Sequence, residues 1–227
     1  MTFKAACIYL GGFLFSLQGN AQGITVLDSS YANGYYKQRV QFFRQMADEK
    51  NEIIFLGNSI TEAGEWQELV PGKAVKNRGI SGDVTYGVLA RLDEVVASKP
   101  LKVFILIGIN DLKRGIPVDT IVSNYSRIVQ QIKIASPRTK IYVQSVLPVN
   151  EAMLSASYKR LTNPLIDQLN LQLKDLAMQS GCVYVNLHEI MKDENGQLSE
   201  TLTSDGIHLW PSTYIHWVDF LRKKKYL

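Results

Sequence analysis

Cysteine is almost missing from this chain of 227 residues: there are two, Cys7 and Cys182. Cys7 lies in a leader-like segment, so a chain that sheds the segment has no pair left for an internal disulfide. An excess of one charge is also lacking. Against 21 acidic residues stand 25 basic ones, a formal net charge of +4, and the only basic cluster, residues 222–225, falls where cations suit a helix C-terminus. That pattern argues against a nucleic-acid partner. Neither G-x-G-x-x-G nor G-x-x-x-x-G-K-[ST] occurs, which counts against a nucleotide or phosphate binder of flavodoxin-like build. His188 and Glu189 lack the second histidine of an H-E-x-x-H metalloprotease signature. There is no low-complexity tract and no internal repeat.

Long apolar runs are missing except at the front, where residues 5–17 follow Lys4 and precede "QGNAQ". The run is too short to span a bilayer, and Gly19 and Ala21 have the spacing of a signal-peptidase site before Gln22. Residues 1–21 are therefore expected to be a secretory signal, and 22–227 a single domain that is secreted or periplasmic. Nearly half of the chain is apolar, enough for a sizeable core.

What is present is an alternation of strand and helix patterns. Strands are expected over 52–56, 73–77, 102–107, 140–146 and 182–186, the third almost continuously apolar, as a strand covered on both faces would be. Helices are expected over 62–69, 84–97, 118–135 and 164–179, with a last one after Pro211 and an amphipathic piece around 35–47. The order predicts an α/β fold: a three-layer, doubly wound sandwich around a five-stranded parallel, flavodoxin-like sheet. In such sheets sites lie beyond the C-terminal strand ends. That rule singles out "GNSIT" (57–61), "NRGISGDVT" (77–85), "GINDL" (108–112) and "SDGIHLWP" (204–211).

Each residue in these loops has an ordinary reading beside a chemical one. Ser59 is either a nucleophile or a helix N-cap. Gly82 suits a turn, Asn110 with Asp111 could cap a short helix, and Asp205 could be a cap or an Asx-turn residue. Of the three histidines, His188 reads as a surface or loop-packing residue and His216 falls within the terminal helix, which leaves His208 as the candidate base. A metal site from Asp205, His208 and His216 is a minor alternative.

Taken in order, Ser59 in "GNSIT", Gly82 in "ISGD", Asn110 in "GIND", and Asp205 with His208 in "DGIH" resemble the blocks of the SGNH hydrolases, a branch of the GDSL esterase and lipase family. The resemblance implies an acyl-serine mechanism. Ser59 attacks, His208 takes its proton, and Asp205 fixes the imidazole tautomer. The backbone N–H groups of Ser59 and Gly82 and the side-chain amide of Asn110 receive the oxyanion. No cofactor or metal is called for. The family usually carries Asp where this chain has Asn58. Similar chains resemble carbohydrate O-acetylesterases, and others lysophospholipases or platelet-activating-factor acetylhydrolases. With no long apolar lid in the sequence, a short-chain ester, acetyl on a sugar, is the expected substrate. A non-catalytic glycan-binding relative is the rival of another class. Trp66, Tyr86, Trp210 and Tyr214 lie near the motif loops, as a sugar-stacking platform or as packing residues.

Overall fold

The computed structural model describes residues 29–227. The signal expected over 1–21 and its boundary with the following domain lie outside the described residues, as does Cys7.

Asn33 begins the lead-in helix α1 (Gly34–Gln45), its side-chain oxygen accepting the Tyr36 N–H at 2.9 Å. The chain then forms β1 (Ile53–Gly57), α2 (Ser59–Glu62), α3 (Trp66–Leu69) and β2 (Val75–Gly79). Next come α4 (Thr85–Ala90), α5 (Leu92–Ala97), β3 (Lys102–Leu106), α6 (Ile109–Lys113) and α7 (Val118–Ala135). The remainder is β4 (Lys140–Gln144), α8 (Asn163–Gln179), β5 (Val183–Val185), α9 (His188–Met191) and α10 (Pro211–Lys223). All strand pairs are parallel, in the order β2-β1-β3-β4-β5. That is the expected flavodoxin-like winding, in which the chain turns back across β1 to build the second half of the sheet.

Side chains alternate between the two sheet faces. On one face Phe55, Phe104 and Tyr142 are register partners and their rings stack, with centroids 5.0 and 4.3 Å apart. Trp66 of α3 lies flat on Phe55 at 3.8 Å, and Trp217 of α10 meets Trp66 edge-on at 5.1 Å. The residues between them, such as Ile54, Leu56, Val103 and Ile105, are buried on the opposite face, where α4, α5, α7 and α8 pack together. The core is the filling between these layers.

Two expected helices are broken, and each break has a local cause. The helix expected over 62–69 divides into α2 and α3 because the Trp66 indole folds back over Gly64 and donates to the Thr61 carbonyl at 2.8 Å. The helix expected over 84–97 divides at Arg91, whose backbone leaves helical angles while its side chain reaches into the interior. Strand β2 runs two residues beyond its expected end. Buried Arg78 is accommodated there by Glu94, at 2.5 Å, and by the Phe43 ring, 4.7 Å away. Of two further short helices, α6 contains Asn110 and Asp111, where a short helix was one of the two readings, and α9 was not expected.

At the C-terminal end of the sheet Gly57 is register partner to both Gly79 and Leu106. The chain leaves β2, β1 and β3 side by side, and α2 crosses the end of β2 so closely that a methyl on Gly79 would stand 2.1 Å from the Glu62 nitrogen. Gly79→Ala is therefore expected to destabilise the fold by about 1–3 kcal/mol. Thermal unfolding should show this as a midpoint lowered by roughly 2–4 °C per kcal/mol. An unaltered midpoint would mean that α2 can yield without cost.

Candidate active site

Ser59 stands just beyond β1, at the first position of α2. The cap of that helix is Asn58, whose side-chain oxygen accepts the Ile60 N–H at 3.1 Å. The Ser59 hydroxyl is thus not needed as a cap, and its Oγ lies 3.1 Å from His208 Nε2. Asn58 is fully buried, and its Nδ2 has no acceptor among the described residues.

The segment bearing His208 is a tight loop closed on itself. Thr203 and Leu209 form an antiparallel bridge, the buried Thr203 hydroxyl donates to the His208 carbonyl at 2.7 Å, and the Ser204 N–H donates to the same oxygen at 3.0 Å. Asp205 works with both oxygens. Its Oδ1 accepts the backbone N–H groups of Ile207 and His208 at 3.0 and 2.8 Å, while Oδ2 lies 2.8 Å from His208 Nδ1. Partial burial pushes the Asp205 carboxyl up, but the His208 ring and the two amides together outweigh burial and hold it below its ordinary value. With the side chains of His208 and Asp205 36% and 49% exposed, the site is open to solvent.

The loops after β2 and β3 are tied to one another. Gly82 has φ +80°, a left-handed conformation that glycine adopts without strain, and its carbonyl accepts from Arg114 Nη2 at 2.9 Å. Asn110 Nδ2 donates to the Asp83 carbonyl at 2.9 Å, which joins the start of α6 to the loop carrying Gly82. Below them Asp111, fully buried, supplies the N-terminal cap that α4 does not get from its own N-cap residue, Val84. Its oxygens accept the Thr85 N–H at 3.1 Å each, and Oδ1 accepts the Thr85 hydroxyl at 2.5 Å. Asn124 of α7 donates in turn to Thr85 Oγ1 at 2.9 Å.

The structure therefore joins Ser59, His208 and Asp205 in one hydrogen-bonded chain and links the Gly82 and Asn110 loops beside it. An arrangement of hydroxyl, imidazole and carboxylate in this order can deprotonate the hydroxyl as it attacks an acyl carbon.

Of the four aromatics near the motif loops, three take the packing reading, so Trp66 and Tyr86 are withdrawn as substrate contacts. Trp66 is wholly inside the core against Phe55, Tyr214 is buried with its hydroxyl donating to the Ile60 carbonyl at 2.7 Å, and Tyr86 is buried on α4. Packing took them because their elements lie against the sheet. Only Trp210, 48% exposed, is available at the surface. His188 is not at the surface but buried, its Nδ1 beside the Val146 carbonyl and Asn170, both at 3.2 Å. His216 is exposed on α10, and among the described residues no three His, Cys, Asp or Glu side chains gather as metal ligands. Glu62, Arg91 and Arg114 escaped the sequence reading because single charged residues carry no spacing pattern. Asp83 stood within a quoted block without a role assigned, and Asp111 only as a possible cap of a short helix.

Residues 55–214 match the family model of the GDSL-like lipase/acylhydrolase family. A solved structure from Streptococcus pneumonia, named for platelet activating factor, is similar with a TM-score of 0.78 and 30% identity, over 84% of this chain and 92% of its own. An acetyl-xylooligosaccharide esterase from Geobacillus Stearmophilus shares the fold, with a TM-score of 0.61 and 21% identity, over 78% of this chain and 94% of its own. The Homo sapiens platelet-activating factor acetylhydrolase IB subunit alpha2 is 28% identical over 123 residues, 52% of this chain and 53% of that protein. The chain spans about half the length of the curated relatives it matches.

Burial pushes Asp111 up to about 7, with the Thr85 hydroxyl and N–H pulling the other way. A folded-state value above the ordinary carboxyl value of about 3.9 gives stability that is complete below that value and lost as pH rises through the folded one. Asp111→Asn removes the titration. Relative to this variant, the wild-type unfolding midpoint is expected to fall as pH goes from about 4 to about 8. A difference between the two proteins that stays constant across the window would refute the raised value.

Proposed function

We propose that this chain, which belongs to the GDSL-like lipase/acylhydrolase family, is an ester hydrolase that removes short acyl groups, acetyl foremost, from carbohydrate by an acyl-serine mechanism. The observation that carries the mechanism is the unbroken line from Ser59 Oγ through His208 to Asp205, at 3.1 and 2.8 Å.

In this reading Ser59 Oγ attacks the ester carbonyl and its proton passes to His208 Nε2. Asp205 Oδ2 accepts from Nδ1–H, which keeps the Nε2 lone pair facing the serine and stabilises the imidazolium as it forms. The tetrahedral oxyanion is met by the N–H groups of Ser59 and Gly82 and by Asn110 Nδ2, which has a second N–H beyond the one given to the Asp83 carbonyl. Collapse breaks the bond to the alkoxy oxygen, and the imidazolium proton goes to the departing alcohol. Water, deprotonated by the same imidazole, then attacks the acyl carbon and restores the serine.

Carbohydrate as the acyl carrier is supported by the openness of the site and by Trp210, half exposed two residues after the base, where a sugar ring can stack. It is supported also by the fold shared with an acetyl-xylooligosaccharide esterase. A second reading, a lipid esterase, draws on the relatives named for platelet-activating factor. Hydrolysis rates over acetylated xylo-oligosaccharides, p-nitrophenyl esters of increasing chain length, an acetylated glycerophosphocholine and lysophospholipid separate the two. Preference for the phospholipids over every acetylated sugar would overturn the carbohydrate reading.

Ser59→Ala is expected to abolish turnover with no loss of fold, and His208→Ala to lower it by about 10²–10⁴-fold. Asp205, its carboxyl held below the ordinary value, should keep its charge and its hold on His208 Nδ1 on mild acidification. His216→Ala should leave turnover unchanged, and His188→Ala should show its effect in stability. Wild-type turnover in a folded His208→Ala would remove His208 from the mechanism.

Asn58→Asp tests the rival reading of a non-catalytic relative. The carboxylate keeps an acceptor for the Ile60 N–H, replaces the unpaired Nδ2, and brings a charge to a helix N-terminus, which favours anions. The rate is expected to change by no more than about tenfold. A wild-type protein inactive on every short ester, with Asn58→Asp active, would make the natural chain a binding protein.

A further inference from the structure

Glu62 takes no part in the proton relay, yet its half-buried carboxylate gathers donors from two other parts of the chain. It lies on α2, one turn beyond Ser59. Its Oε2 accepts the Ser81 backbone N–H at 2.7 Å and the Ser81 hydroxyl at 2.5 Å. Its Oε1 accepts the Tyr35 hydroxyl at 2.5 Å and stands 3.1 Å from Arg39 Nε, an ion pair in which the N–H is not aimed at the oxygen.

Tyr35 and Arg39 belong to α1, which precedes the residues 55–214 that match the family. The same helix packs Tyr36, Val40 and Phe43 against Ile80, the residue before Ser81, and the Tyr36 hydroxyl donates to the Gly87 carbonyl at 2.7 Å. The short loop between β2 and α4 is thus gripped from outside by α1 and from the nucleophile helix by Glu62. Gly82, by contrast, is exposed, and a methyl group on it would touch nothing within 4 Å. Its amide orientation must come from the chain on either side: Arg114 on its carbonyl, and Ser81 before it.

We propose that Glu62 is a positioning residue, its carboxylate anchored by Tyr35 and Arg39 and holding the Ser81 amide so that the next N–H, that of Gly82, stays aimed at the oxyanion. This rests on the assignment of Ser59 as nucleophile and Gly82 as oxyanion donor. A free carboxylate this near the nucleophile would repel the charge that forms there. One committed to Ser81, Tyr35 and Arg39 has its charge directed away, and a donor kept in line is worth far more in the transition state than one that wanders.

The test is steady-state hydrolysis of p-nitrophenyl acetate by the full chain, with unfolding midpoints recorded alongside. Glu62→Ala is expected to lower kcat by about tenfold or more and to leave KM within about threefold, since the contact it supports is made in the transition state. Glu62→Gln, which keeps an acceptor for Ser81 and loses the ion pair, should recover part of the loss. Arg39→Ala should lower kcat less and should add nothing in the Glu62→Ala background, because both act through one carboxylate. The proposal is overturned by wild-type kcat in Glu62→Ala, by a loss confined to KM, or by additive effects of the two substitutions. If Ser59→Ala is inactive while Glu62→Ala matches wild type, the positioning role alone falls. If Ser59→Ala keeps turnover, the nucleophile assignment falls and takes the positioning role with it.

Discussion

Arg91 is a guanidinium without exposure to water, and the groups around it account for its place inside the fold. Its Nε lies 3.0 Å from Asp83 Oδ2, and its Nη2 donates to the Arg78 carbonyl at 2.9 Å and the Gly57 carbonyl at 3.2 Å. Those carbonyls stand at the C-terminal ends of β2 and β1, and that of Gly57 also accepts the Ile80 N–H at 3.1 Å. The pair also depends on Gly87, since a methyl there would come within 1.9 Å of Asp83 Oδ1. Breaking such a buried pair strands a charge and costs about 3–5 kcal/mol. From Asp83 the order passes on, because its backbone carbonyl receives Asn110. One ion pair thus holds two strand ends and two site loops in a fixed relation.

The architecture was legible because it follows from periodicity. Apolar runs marked four of the five strands, the second being the polar exception, and the strand–helix alternation implied the parallel sheet. Helix α7 matches its expected range end to end, since its apolar stripe and the preceding Pro117 are both local signals. Errors arose where a single distant partner overrode the local pattern. Arg91 breaks a helix to reach Asp83, and Arg78 extends a strand because Glu94 and Phe43 receive it.

For the site, the residues that meet in space, Ser59, Asp205 and His208, were legible through loop position and block order. The aromatic platform was not, because tryptophan and tyrosine serve stacking surfaces and cores alike and the sequence does not say which way a ring turns. Trp66 went to the core because the Gly64 next to it leaves room for the indole to fold back. Glu62 was invisible for a related reason: its partners come from α1 and from the loop after β2, and neither is near it in sequence.

Asp205 divides its two oxygens between a turn and an imidazole. The same carboxylate that shapes the loop from Thr203 to Leu209 orients the base, so the turn cannot loosen without the ring losing its bearing on Ser59. Loop closure and proton abstraction share one anion. With the loop from Thr203 to Leu209 opened, Ser59 would stand without its imidazole neighbour, however well formed the sheet.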